Sequence, residues 1–385
     1  MRLTSLVFPA LALFFSSAAR AFELPSLWGM TAPEVESPAG EHAGAPTAPT
    51  PAESMRETVA FLSAPALAGR APMSKGSEAA RDHIVAKMKA AGILPAGDGG
   101  TYFQSVRKNL FGHRIGTNVV GRIAGRAKPE ECVYLEAHYD HWGKAGGKIQ
   151  PGANDNASGV AMMLELGRRL AAQGTDRTVI VLASDYEEGA ALPMGGGLKG
   201  AAYHAENPAC PAEKIKAAVV LDMVGGSFIP GLAPHLYLIG SESSAQTYAL
   251  ARGLAGDPAQ DALSRVMGVY AIEPSGPMIP RADYGPFRDL KVPFIFATSG
   301  IPPEYHTPED TIDKVDFDFM ERAAGDLLRA LETMAGAGFE PSFAAKPDRI
   351  IDWNAELAQL DFILNALTGL SGLSEERRPF VEQLT

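Results

Sequence analysis

His138, Asp155, Glu188, Asp222 and His306 lie far apart along the chain, yet each closes or follows an apolar or glycine-rich run: YLEAHYDHWG, PGANDNASGV, VIVLASDYEEGA, AAVVLDMVGG and PEYHTPEDT. Singly, each has an ordinary explanation. Asp155 stands between Asn154 and Asn156 where a helical run begins, a position at which Asp is a good N-cap. Glu187 and Glu188 read like any solvated acidic pair. Asp222 ends an uninterrupted apolar run, where an ionised carboxylate needs either loop amides or a cation as its partner. His138 and Asp140 form an H-x-D pair, in which a carboxylate can orient the imidazole through the ring nitrogen turned away from a metal. His141 is read as a neighbour that lines the pocket.

Taken together, two histidines and three carboxylates form a donor set for two divalent cations. Four positive charges meet three negative ones, and the remaining charge suits a bridging hydroxide. With no thiolate among the donors, zinc is the expected metal, and cobalt or manganese are plausible substitutes. The two oxygens of Asp155 could span ions ~3.5–4 Å apart, the spacing of two-metal hydrolases. Of the adjacent Glu187 and Glu188, one can bind metal while the other faces the attacking water as general base.

Chemistry of this kind needs elements that bring distant residues to one edge. Strand-like runs TNVVGRI, CVYLEAH, TVIVLAS, KAAVVLDM, HLYLIG and VPFIFAT alternate with helical ASGVAMMLELGRRLAAQ, GLKGAAYHAE and SAQTYALARGLA. The alternation predicts a single three-layer α/β/α domain with a mostly parallel central sheet flanked by helices. Ligands of such sheets bind beyond the carboxyl ends of the strands, where all five candidates fall. Two helices, ESMRETVAFLS and GSEAARDHIVAKMKAAGI, precede the sheet, with Gly92 placed as a C-terminal cap. Beyond residue 338 a connector leads to the amphipathic IIDWNAELAQLDFILNALTGL, expected to pack on its own domain.

These motifs, with the approach FLSAPALAGRAPMSKGSEAARDHIVAKMKAAGILPAGDGGTYFQ, resemble the co-catalytic di-zinc aminopeptidase family, metallopeptidase family twenty-eight, across residues 53–338. That family's relatives include aminopeptidase Y, bacterial leucyl aminopeptidases, glutamate carboxypeptidase and glutaminyl cyclase. The resemblance implies a zinc-exopeptidase-like fold. Asp155 would bridge two Zn2+ ions, Glu188 and His306 would complete one site, and His138 and Asp222 the other. It makes Glu187 the general base, gives Asp140 the task of orienting His138, and likens Tyr305 to a tyrosine that hydrogen-bonds the scissile carbonyl. Where the family often reads S-D-H-x-P-F this chain reads ADYGPF, so Asp283 matches and Tyr284 replaces histidine. The interval 121–138 leaves no room for an inserted protease-associated domain.

The activity implied is hydrolysis of the N-terminal peptide bond of a peptide with a free amino terminus. A carboxypeptidase, a dipeptidase and a glutaminyl-cyclase-like enzyme are the alternatives on the same scaffold, and a non-catalytic binding homologue is disfavoured by the intact ligand set. The loops GALPMGGGLKG, GGSFIPGLAP and VYAIEPSGPMIP would wall the specificity pocket, their Gly, Pro and Met content giving an apolar, adjustable surface.

Of 385 residues, 46% are hydrophobic, enough for a large core. The formal charge of −11 disfavours a nucleic-acid partner. Residues 1–21, MRLTSLVFPALALFFSSAARA, have a basic start, an apolar stretch and an A-x-A end, the pattern of a signal peptide cleaved before Phe22. The apolar stretch falls short of the ~20 residues needed to span a bilayer. The mature protein is therefore expected to be periplasmic or secreted, without a stable membrane anchor. Residues 22–52 read as a Pro/Ala-rich flexible leader, 53–338 as the peptidase domain, and 339–385 as a connector and C-terminal helical extension. Cys132 and Cys210, the chain's two cysteines, could form one disulfide or stay as thiols.

Overall fold

The structure, a computed structural model, describes residues 49–107, 112–189, 197–227, 233–257, 263–268 and 282–368. The expected signal segment, nearly all of the leader and much of the three specificity loops lie outside the described residues. Helices α1 (Pro51–Leu62) and α2 (Lys75–Ala90) come first. Thr50 and Glu53 cap α1 reciprocally, each side chain accepting from the other's backbone N–H, and Ser74 caps α2.

Nine strands make one sheet: β1 (Leu94–Pro95), β2 (Phe103–Arg107), β3 (Arg114–Ile123), β4 (Gly125–His138), β7 (Thr175–Ser184), β8 (Ile215–Leu221), β9 (Leu236–Ile239), β10 (Ser264–Met267) and β11 (Phe294–Thr298). The short β5 (Lys144–Ala145) and β6 (Lys148–Ile149) pair with each other. Along the sheet the order is β1-β3-β7-β4-β8-β11-β9-β10, with β2 also paired to β3. The expected parallel character holds at the centre, β7-β4-β8-β11, whereas β3 runs antiparallel to β7 and β9 antiparallel to β11. A physical reason is visible at β3: a single residue, Ala124, joins it to β4, far too little chain for a parallel crossover.

The central strands are apolar on both faces because both are covered. Val133, Leu135 and Ala137 of β4 face a core shared with α1, α2, α3 (Gly159–Gln173) and α7 (Phe317–Ala335). Tyr134, between them, faces a second core with α6 (Tyr284–Asp289) and α8 (Trp353–Thr368). This alternation makes three layers. Leu135 is fully buried, and trimming it to Ala would cost ~2–5 kcal/mol in lost transfer energy and cavity.

Helices α4 (Lys199–Glu206) and α5 (Ala245–Ala255) fall where the sequence places them. The strands β1, β2, β5, β6 and β10 and the helices α6 and α7 are additional to those expected. The C-terminal helix α8 does pack on the domain: Leu360 and Ile363 enter the second core, and Gln359 Nε2 donates to Val266 O at 2.7 Å. Cys132 and Cys210 form a disulfide that ties the outer part of β4 to the segment before β8. Among the described residues no helix is long and apolar enough to cross a membrane.

Candidate metal centre

Strand ends deliver the site. His138 is the last residue of β4, Glu187 and Glu188 follow β7, Asp222 follows β8, and the loop after β11 brings Tyr305 and His306. The turns are tight: Tyr186 (φ 64°), Met223 (φ 52°) and His306 (φ 56°) are left-handed without being glycine. Each such conformation costs ~1–3 kcal/mol, so the surrounding contacts must hold it.

Asp155 sits in an irregular turn, Ala153–Ser158, ahead of α3, at φ −105° and ψ 95°. Its carboxylate does not cap the helix. Gly159 N is instead met by Asn156 Oδ1 at 3.0 Å, which leaves Asp155 free to face the site. The turn requires Gly152, at φ 59°, because a Cβ there would fall against the Asp155 carbonyl oxygen and the His141 ring.

The structure brings all five expected ligands together. His138 Nε2 lies 3.3 Å from Asp222 Oδ1 and 3.5 Å from Asp155 Oδ1. His306 Nε2 lies 2.9 Å from Glu188 Oε2 and 3.1 Å from Asp155 Oδ2. Asp155 therefore offers one oxygen to each cluster. His138, Asp155 and Asp222 form one triple able to hold an ion, and a second triple of His141, Asp155 and Glu188 overlaps the His306 cluster. A divalent cation fits this arrangement on its own terms: Asp155 Oδ2 and His306 Nε2 are both buried and have no hydrogen-bond partner, although only 3.1 Å apart. Two buried donors facing one point without bonding each other are what a cation needs.

Electrostatics agree. Burial opposes protonation of His306, but the nearby carboxylates of Asp155 and Glu188 prevail and raise its pKa to about 10. His138 is raised in the same sense: burial is outweighed by the charges of Glu187 and Asp222. In the Glu188 carboxyl, burial is outweighed by the hydrogen-bonded His141 and by the adjacent His306 ring, holding it well below the ordinary range. Glu187 goes the other way, raised well above the ordinary carboxylate by burial, with Glu188, Asp283 and Asp222 adding to the effect against the pull of His138. Two adjacent glutamates thus have opposite proton affinities, one suited to a cation and one to a proton.

Asp140 differs from its expected part. His138 Nδ1 approaches the Asp140 backbone carbonyl at 3.3 Å, whereas the carboxylate lies 3.7 Å away. That carboxylate instead accepts from Glu187 N at 3.0 Å and Glu188 N at 3.4 Å. It positions the glutamate pair, since two N–H donors just past a strand end are closer to hand than the ring. His141 also does more than line the pocket: its Nδ1 is 2.8 Å from Glu188 Oε1, and Trp142 Nε1 donates to Glu188 Oε2 at 2.7 Å. Tyr305 stacks on His306 with ring centroids 3.6 Å apart, and burial among the site's carboxylates raises its phenol pKa, keeping it a neutral donor.

Several supporting residues carry no signal of their own in the sequence. Asn154 Oδ1 accepts from Gly225 N and Asn156 bonds the end of β8, so the two amides beside Asp155 fasten the Asp222 loop. Their placement on both sides of the shared ligand was the available clue. Behind the site, Ser184 Oγ bridges Glu136 Oε1 at 2.5 Å and Asp283 Oδ2 at 2.6 Å. Tyr284, in the position where the family often has histidine, is fully buried and stacks on Phe294 at 5.2 Å, a core role.

The model of peptidase family M28 matches residues 118–331, more than half of the chain. The chain belongs to peptidase family M28. Aminopeptidase YwaD of Bacillus subtilis is 27% identical over 236 residues, covering 59% of this chain and 46% of that protein. A probable zinc metalloprotease of Pyrenophora teres f. teres is 26% identical over 326 residues, covering 74% of this chain and 66% of that relative. The chain thus matches about half to two thirds of the length of these relatives. Among solved structures, a zinc aminopeptidase from Bacillus subtilis superposes with a TM-score of 0.56 at 18% identity, over 74% of this chain and 95% of that one. A glutaminyl cyclase from Bacteroides thetaiotaomicron gives 0.56 at 19% identity, over 73% and 97%. Both share the zinc-exopeptidase fold seen here.

Proposed function

We propose that this M28 protein is a zinc-dependent aminopeptidase that acts in the periplasm or outside the cell. The observation that carries the reading is the Asp155 carboxylate, one oxygen toward His138 and the other toward His306, with Glu187 beside both clusters. His138, Asp155 and Asp222 would hold one ion, and Asp155, Glu188 and His306 the other. Such a pair supplies Lewis acidity toward the scissile carbonyl and makes water acidic enough to attack near neutral pH.

The chain's own groups do the rest. Glu187, with its raised proton affinity, takes the proton of the attacking water and passes it to the leaving amine. Tyr305, held flat against His306, offers its hydroxyl to the oxygen that gains charge at the carbonyl. Asp140 keeps both glutamates in register through their amides, while His141 and Trp142 fix the Glu188 carboxylate. The names of relatives, an aminopeptidase and zinc metalloproteases, support zinc and the reaction class. For location, support comes from the signal-like residues 1–21 and from the Cys132–Cys210 disulfide, a bond that persists in oxidising compartments.

A panel of aminoacyl substrates with free and blocked amino termini, run on zinc-loaded protein with metal stoichiometry measured alongside, tests the proposal. Two zinc ions and turnover confined to free amines are expected. Equal turnover of blocked substrates would point to a carboxypeptidase, and release of cyclised N-terminal glutamine to a cyclase; either would replace this reading.

A further inference from the structure

Asp155 belongs to both donor triples, so whatever fixes the turn that carries it governs both ions. That turn has little regular hydrogen bonding of its own. Its backbone carbonyls at Pro151 and Gly152 accept from the Arg70 guanidinium, Nη1 at 2.6 Å and Nη2 at 2.9 Å. Its backbone amides are held from the opposite side. Asn154 N donates to Asp310 Oδ1 at 2.8 Å, Asp155 N to Asp310 Oδ2 at 3.0 Å, and Ala153 N to the Asp310 carbonyl at 3.2 Å. A cation thus grips the oxygens of the segment and an anion grips its N–H groups.

Each arm also reaches another ligand. Arg70 Nε donates to Tyr139 O at 2.9 Å, immediately after His138, and Nη1 donates to Leu62 O at 2.6 Å at the end of α1. Asp310 lies four residues beyond His306 in the same loop. Arg70 is fully buried and its hydrogen bonds go to backbone carbonyls, so its charge is balanced through space by Asp310, Asp155, Asp140 and Glu188. A buried guanidinium on such terms is costly, and a neutral side chain would serve as filler at less cost. The fork geometry explains its use, since a planar group with five donors can hold carbonyls from three separate segments at once.

We infer that Arg70 and Asp310 are a paired clamp whose task is to place the Asp155 carboxylate between the two metal positions, making both of them positioning residues for metal uptake. Arg70 lies outside the stretch matched by the family model, so the functional unit extends back to the loop after α1. The inference rests on the two-zinc reading of the site.

The test is zinc affinity, read by competition with a chromophoric chelator on the metal-stripped full chain. Wild type is compared with Asp310→Asn and Arg70→Lys, with His138→Ala as a one-site reference and circular dichroism as the check on folding. Asp310→Asn keeps the shape but turns one acceptor into a donor facing an N–H. Arg70→Lys keeps the charge but loses the fork. Both variants are expected to weaken both zinc sites together, ~10–100-fold, the usual range for groups that orient ligands. His138→Ala should weaken one site only. Folded variants whose zinc affinities match wild type, even with lower melting temperatures, would show a purely structural role and overturn the clamp, as would loss confined to one site. If neither variant folds, the pair serves the fold rather than the metal, which also overturns it. Wild type that binds no zinc would instead remove the reading on which the clamp rests.

Discussion

Asn156 holds Asp222 by the backbone on both sides of it: Nδ2 donates to Leu221 O at 2.8 Å, and Oδ1 accepts from Met223 N at 3.2 Å. The residue next to the shared ligand therefore fixes the end of β8, which supplies a ligand to one triple alone. Asn156→Asp keeps the acceptor and sets a second oxygen against the Leu221 carbonyl. The zinc ion of His138 and Asp222 should bind ~10–100-fold more weakly, with a smaller loss at the other site. Site-resolved zinc titration checks this, and equal losses would contradict it.

Glu187 is in neither triple, and its proton affinity is raised by burial and by neighbouring acids. Glu187→Gln should lower kcat by ~100- to 10,000-fold, the span of general-base catalysis, while zinc content stays at the wild-type value. Substantial turnover in the zinc-replete variant would remove Glu187 from its role.

In the metal-free protein His306 holds its proton up to about pH 10. The unfolded value is about 6.5. Because the folded pKa is the higher one, this group's contribution to stability is complete below the unfolded value and is lost as pH rises through about 10. A cation must displace that proton, so apparent zinc affinity should rise with pH across the same window and fall on acidification. Calorimetry in buffers of different ionisation heat should detect proton release on binding at pH 8, and heats independent of the buffer would refute it.

The disulfide closes a loop between residues 78 apart in sequence, and Cys132 lies six residues from His138 on β4, roughly 20 Å along an extended strand. Replacing both cysteines by serine should cost ~2–5 kcal/mol in urea unfolding, with kcat unchanged while the protein remains folded. A drop in kcat at full folding would mean that the far end of β4 influences the site.

The metal-ligand candidates were legible because each follows an apolar run or marks the start of a helix, where an imidazole or carboxylate stands out. Their supporters were hidden because they act on backbone. Arg70 holds carbonyls, Asp310 holds amides, and such partners have no side-chain signature to read, most of them at sequence distances of 69 to 156 residues. Asp140 stands out by its spacing to His138, and spacing does not determine which of the nearby donors its carboxylate meets. In the fold, β10 escaped because its four residues, SRVM, include Ser264 and Arg265, both buried. The direction of β3 was fixed by the single-residue joint at Ala124, a topological constraint that apolar periodicity does not carry.

The ligands of the first triple come from residues 138–222, but His306, which pairs with Asp155 and Glu188, and the Asp310 arm come only after β11. A growing chain therefore exposes His138, Asp155, Glu187, Glu188 and Asp222 to the surrounding ions well before His306 exists. Any cation captured during synthesis meets an incomplete cage with surplus negative charge, which favours whichever hard, abundant ion is at hand over the intended one. If the chain is exported before it folds, as proposed, that hazard would be removed, and the timing of folding would itself help to select the metal.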